Sequence, residues 1–138
     1  VKLLVDTSVW SLALRRKEGV NLSPEQQRLK AELTQAIHDG RIAVIGMIRQ
    51  EILSGIKEQG RFDKVRSALA PFLDEQIETA DHEYAARLYN ECRGQGFEVG
   101  PVDLLVCAVA VRRNWQILSS DSALNRCLEL ARKAQEPE

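Results

Sequence analysis

Four acidic residues stand where an α/β protein does chemistry. Asp6 follows the apolar run Leu3-Leu4-Val5 and precedes Thr7-Ser8, and Asp121 closes Ile117-Leu118-Ser119-Ser120. Glu51 lies in a helical pattern carrying Ile48, Ile52 and Ile56 at four-residue spacing. Asp103 falls in the first turn of a helix opened by Pro101. Short apolar runs bounded by turn formers read as strands buried on both faces. In an open α/β sheet the carboxyl ends of the strands border the crevice where ligands sit, so all four acids can converge at one edge. Crowded carboxylates repel, and a hard divalent cation with oxygen ligands relieves the repulsion. An acidic cluster without His or Cys selects Mg²⁺ or Mn²⁺ over zinc. Such a site activates water and stabilises an in-line displacement at phosphate. Each acid also has an ordinary reading: Asp6 as a helix cap, Glu51 as a solvated helix carboxylate, Asp103 as a partner of the helix dipole. The joint placement is what points to a site.

The elements that must position these acids are legible in order. After Asp6, Val9, Trp10, Leu12, Ala13 and Leu14 form a short amphipathic helix ending near the basic run Arg15-Arg16-Lys17, and Gly19 and Asn21 mark a loop. Ser23-Pro24-Glu25-Gln26 is a capping box with proline at the first helical position. That helix runs to about Asp39 with Leu29, Leu33, Ala36 and Ile37 on one face, and Gly40 ends it. Arg41 to Ile45 is a second buried strand. The helix bearing Glu51 follows, and Gly55, one turn on, removes bulk beside the acid. Phe62, Val65, Leu69 and Phe72 mark the next helix. Glu75 to Thr79 is a weak strand, and a helix from about Asp81 to Arg93 turns Ala85, Leu88, Tyr89 and Cys92 inward. From Val102 to Val111 the chain is apolar on almost every face except at Asp103, which predicts a helix buried on most sides. Arg112, Arg113 and Asn114 are expected to end it in water. Trp115 to Leu118 is the last strand, and Ser122 to about Lys133 the last helix. Strands alternating with helices predict a mostly parallel sheet covered on both faces.

Composition narrows the function classes. The 138 residues fit one domain, 1–138, with a real core. The net charge of −1 gives no global field to attract nucleic acid, so any such binding rests on local patches. Cys92, Cys107 and Cys127 are widely spaced and odd in number, as expected of buried free thiols in a reducing compartment. Two histidines, His38 and His82, are too few and too isolated for a Ser-His-Asp enzyme. Gly94-Gln95-Gly96 follows a helix instead of opening one, so it is a turn and not a dinucleotide fingerprint. No apolar run is long enough to span a bilayer. A strand pattern stands where a signal-peptide core would be, so a cytoplasmic protein is expected. The chain begins at Val1, from which a missing or recoded initiator residue is expected.

Two acidic α/β families do not fit. A haloacid-dehalogenase phosphatase needs D-x-D after the first strand, where Ser8 stands here. A receiver domain needs an early acidic pair, an acceptor Asp after a middle strand and a Lys after a late one. The second strand here ends in Ile45-Gly46, and Ser119-Ser120-Asp121 contains no lysine. The segments V-D-T-S-V-W at 5–10, E-I-L-S-G at 51–55, P-V-D-L-L-V-C-A-V-A at 101–110 and I-L-S-S-D at 117–121 resemble a PIN-domain ribonuclease. Their order and spacing are most similar to the VapC toxins of bacterial toxin–antitoxin pairs, over nearly the whole chain. The resemblance implies a three-layer α/β/α fold with a mostly parallel central sheet. It also implies RNA cleavage dependent on Mg²⁺ or Mn²⁺, a homodimer, and an antitoxin whose tail occupies the active-site groove. Asp6, Glu51 and Asp103 match the three core acids and Asp121 the fourth. Ser119 matches the hydroxyl two places before that fourth acid, and Thr7 is expected to support the site. Leu124 departs from the aromatic residue usual three places after the fourth acid.

The leading expectation is a metal-dependent endoribonuclease acting on single-stranded or looped RNA, with Arg15, Arg16, Lys17 and Arg49 as candidate phosphate contacts. A PIN-like module that binds nucleic acid or protein without cutting is the alternative. A DNA or flap nuclease is a third, and would need extra elements to hold a duplex.

Overall fold

The computed structural model describes residues 1–14 and 21–135. In chain order the elements are β1 (Leu3–Val5), α1 (Thr7–Leu14), α2 (Pro24–His38), β2 (Ile42–Ala43), α3 (Gly46–Leu53), α4 (Gln59–Leu69), α5 (Thr79–Gly94), α6 (Pro101–Arg113), β3 (Gln116–Leu118) and α7 (Ser122–Ala134). The basic run Arg15, Arg16 and Lys17 lies outside the described residues.

Three strands form a parallel sheet in the order β2-β1-β3. The first strand is the central one, with Leu3 opposite both Ile42 and Gln116, and Val5 opposite Leu118. Leu4 and Val5 have no exposed surface, as an apolar run between two helical layers requires. The helices pack in two groups, α1 to α4 and α5 to α7, which gives the expected α/β/α layering.

Local chemistry explains the element ends. The Ser23 hydroxyl accepts from Gln26 N, and the Gln26 side chain accepts from Ser23 N, so the capping box at α2 is closed. Gly40 follows that helix with φ +68°, a left-handed turn that costs glycine little. In α6 Pro101 stands at the first helical position, and every residue from Leu104 to Val111 is buried. Asn114 ends α6 in the left-handed region, φ 56°, one of the few non-glycine residues that tolerate it. All three cysteines are free and buried, and burial pushes the Cys92 thiol up to about 12.

Several expectations are corrected. The second strand is shorter than 41–45, because Ile45 already caps α3. No strand forms at Glu75–Thr79; the chain touches the sheet only through a Val44–Asp74 bridge and the bond from Glu75 N to Val44 O. Ile37 and Tyr89 lie at the margins of their apolar stripes and are exposed. Helix α3 stops at Leu53, so Ile56 and Gly55 fall beyond it. Gly55 has φ +87°, a left-handed conformation that favours glycine. Arg112 and Arg113 do not end α6 in water: both bind the buried carboxylate of Asp81. No helix among the described residues is long and apolar enough to cross a membrane.

Candidate active site

Asp6 sits at the carboxyl end of the central strand. Its N–H donates to Leu118 O at 3.0 Å, extending the β1–β3 ladder, while its carbonyl accepts from Val9 N and Trp10 N to start α1. The backbone therefore does the capping, and the side chain, only 3% exposed, is left for other partners. Its Oδ2 accepts the Ser8 hydroxyl at 2.8 Å and the Ser119 hydroxyl at 2.7 Å.

The other three acids reach the same cleft from separate segments. Glu51 projects from α3 and its Oε1 accepts the Thr7 hydroxyl at 2.6 Å. Asp103 stands in the first turn of α6. Asp121 is the N-cap of α7, and its Oδ1 accepts Leu124 N at 2.9 Å. Asp6, Glu51, Asp103 and Asp121 all line one open cleft of about 520 Å³. Met47, Gln50, Ser54 and Val102 complete its walls, and among the described residues no Lys or Arg does.

The electrostatic consequence falls on Asp103. Burial, then the negative charges of Asp6, Asp121 and Glu51, push its carboxyl up to about 6. Among the described residues no hydrogen-bond donor reaches it, whereas each of the other acids has one carboxylate oxygen occupied by a protein O–H or N–H. One oxygen each on Asp6, Glu51 and Asp121, and both on Asp103, remain for a ligand. This is an all-oxygen set with no His or Cys in the cleft walls, suited to a hard cation and not to zinc. No three acidic, His or Cys side chains among the described residues stand close enough to hold one ion directly. A divalent cation bound in the cleft would be held by these carboxylates together with water.

The expected residues thus separate into groups. Asp6, Glu51, Asp103 and Asp121 come together, with Thr7 and Ser119 bonded to them. Arg49 does not join them. Its guanidinium binds Asp74 Oδ1 at 3.0 Å, Leu69 O at 3.0 Å and Phe72 O, tying α3 to the end of α4. Arg49 is engaged by these protein partners and does not line the acidic cleft. Ser8 was missed by sequence reasoning. The available signal was a small hydroxyl two residues after a strand-end acid, a spacing at which side chains close local turns.

The PIN domain family model matches residues 3–127. No curated protein matches the chain. Among solved structures, it is similar in fold to a chain of the crystal structure of FitAcB from Neisseria gonorrhoeae, with 16% identity and a TM-score of 0.69, over 92% of this chain and 93% of that one.

Proposed function

This chain belongs to the PIN-domain family, whose members are generally nucleases, and from that premise we propose that it is a Mg²⁺- or Mn²⁺-dependent endoribonuclease. It cleaves single-stranded or looped RNA, acts as the toxin of a toxin–antitoxin pair, works as a homodimer, and functions as one PIN-like domain over 1–138. The toxin assignment rests on the VapC-like order of motifs.

The observation that carries the nuclease reading is the convergence of four acids on one cleft in whose walls, among the described residues, no Lys or Arg stands. When bound, the metal supplies Lewis-acid stabilisation of charge at the phosphate and activation of water. The residues do the rest. Asp6, Glu51 and Asp121 each offer one open oxygen in a set orientation, because Ser8, Ser119, Thr7 and the Leu124 N–H hold the other. Asp103, with neither carboxylate oxygen bonded to a donor among the described residues, is free to turn both toward a bound cation. The open cleft admits an extended strand more readily than a duplex.

The test is cleavage of a labelled single-stranded RNA by the purified chain. Cutting with Mg²⁺ or Mn²⁺, none in EDTA, and none by Asp6→Asn are expected. Full cleavage after exhaustive chelation rules the mechanism out. A parallel single-stranded DNA arm separates the DNA-nuclease alternative.

One observation favours a second reading. The acids do not approach one another closely enough to share an ion directly, as in a module that binds without cutting. Binding of RNA with no cleavage under any metal would select it.

A further inference from the structure

Resting on the nuclease reading, we propose that Ser8 is a positioning residue of the cleavage site. It staples the turn between β3 and α7 to Asp6, and so fixes which oxygen of Asp6 is open and where Asp121 stands.

The argument is one of proton count. The Ser8 hydroxyl oxygen accepts the Ser120 backbone N–H at 3.2 Å. A hydroxyl has one proton to give, and the Ser8 oxygen lies 2.8 Å from Asp6 Oδ2. The O–H therefore points at the carboxylate. Ser119 repeats the pattern: its oxygen accepts Asp121 N at 3.0 Å and its O–H donates to the same Asp6 Oδ2 at 2.7 Å. Two hydroxyls, 111 positions apart (119 − 8), thus saturate one oxygen of one buried acid and leave Oδ1 without a protein donor. In the same step they hold two successive N–H groups of the turn that delivers Asp121. Ser8 lines both the acidic cleft and the adjoining groove between α1 and α2, so it stands at the seam where that turn would otherwise lift. Hydrogen-bond partners that orient metal ligands carry a characteristic cost when removed, roughly 10- to 100-fold in metal affinity or activity.

The experiment compares wild type, Ser8→Ala, Ser8→Thr and, as a control on the same helix, Ser11→Ala, which lines only the adjoining groove. Four quantities are read: Mn²⁺ affinity by calorimetry, kcat and KM for RNA, hydrogen exchange at the Ser120 amide, and melting temperature. Ser8→Ala is expected to weaken Mn²⁺ binding and lower kcat by roughly 10- to 100-fold each. KM should stay near wild type and the Ser120 amide should exchange faster. Ser8→Thr, which keeps the hydroxyl, should restore all of these, and Ser11→Ala should match wild type. A Ser8→Ala protein that melts lower but keeps Mn²⁺ affinity and kcat overturns the proposal, because the hydroxyl is then only structural. If wild type itself neither binds Mn²⁺ nor cuts RNA, the nuclease reading fails and takes the proposal with it. A working wild type with an indifferent Ser8→Ala sinks the proposal alone.

Discussion

Asp103 in the first turn of α6 and Asp81 beside its last turn are both withdrawn from water, yet one faces carboxylates and the other faces guanidinium groups. Asp81 has no exposed surface. Its Oδ1 receives Arg112 at 2.6 Å and Arg113 at 3.1 Å; its Oδ2 receives Arg113 at 3.0 Å and Glu78 N at 2.8 Å. Burial alone would raise its pKa, but the Glu78 N–H and the Arg113 and Arg112 charges outweigh it and hold the carboxyl below its ordinary value. At the other end of the helix, burial and three acids act in the same direction and raise Asp103 to about 6. The same chain therefore builds a complete ion cluster where it needs only stability. Among the described residues it leaves an equivalent demand unmet at the mouth of the sheet, and that contrast supports the proposal of an external cation there.

The widest break in the contrast is in activity. Asp6→Asn is expected to lower RNA cleavage at least about 100-fold, removing a ligand and not merely a supporting partner, while Asp81→Asn should leave cleavage per folded molecule unchanged. Equal losses in both variants, measured at matched folded concentration, would erase the distinction.

Stability should respond in the opposite order. Asp81→Asn removes one side of a buried pair, a change that costs about 3–5 kcal/mol when fully enclosed. Arg112 and Arg113 retain 32% and 19% side-chain exposure, so about 2–3 kcal/mol is expected after discounting for water. Thermal melts should show a drop of about 10 °C.

Asp103→Asn should instead melt a few degrees higher than wild type in EDTA at neutral pH, a gain of about 1–2 kcal/mol after the same discount. Added Mn²⁺ should raise wild type and barely move the variant. The pH profiles sharpen this further. Because the folded pKa of Asp103 is raised, wild type loses stability as pH rises from the ordinary carboxylate range through about 6. Its deficit relative to Asp103→Asn should open over that window. Because the folded pKa of Asp81 is lowered, its contribution is complete above the ordinary range and disappears as pH falls through the depressed value. Urea unfolding from pH 3 to 8 reads both slopes, and slopes of the same sign would refute the assignment.

The smallest effect is expected at Thr7. Thr7→Val removes the donor to Glu51 and should lower cleavage by about tenfold with little change in melting temperature. A loss as large as that of Asp6→Asn would make Thr7 part of the reaction itself.

What was legible in the sequence was whatever depends on neighbours along the chain. Asp6, Asp103 and Asp121 occupy a strand end, a helix start and a cap, positions that their flanking residues announce. The capping box at Ser23 and the buried run of α6 are local for the same reason. Asp81 was hidden because its partners are 31 and 32 residues away, and nothing near Arg112 and Arg113 distinguishes a clamp from a solvated helix end. Ser8 was hidden because its meaning depends on Ser120, 112 residues on. Arg49 looked like a phosphate contact because charge is visible in sequence and the carbonyls that occupy it are not. Glu75–Thr79 has strand-like residues, but the chain meets the sheet edge at the neighbouring Asp74 and through the Glu75 N–H, and no ladder continues from there.

The order β2-β1-β3 also bears on how the protein is made. Of the three strands the central one is synthesised before its two partners, residues 42–43 and 116–118. Ribosomal synthesis proceeds from the N-terminus, and pairings between distant segments wait for the later one. Asp6 thus emerges early without Asp103, Asp121 or the serine that orients it from β3. A nascent chain has no assembled acid cluster until residue 121 has been translated. Premature termination anywhere before residue 121 releases a fragment without the fourth acid, and before 103 a fragment with at most two. For the nuclease proposed above, the topology itself postpones the hazard until the last of the four acids has been made.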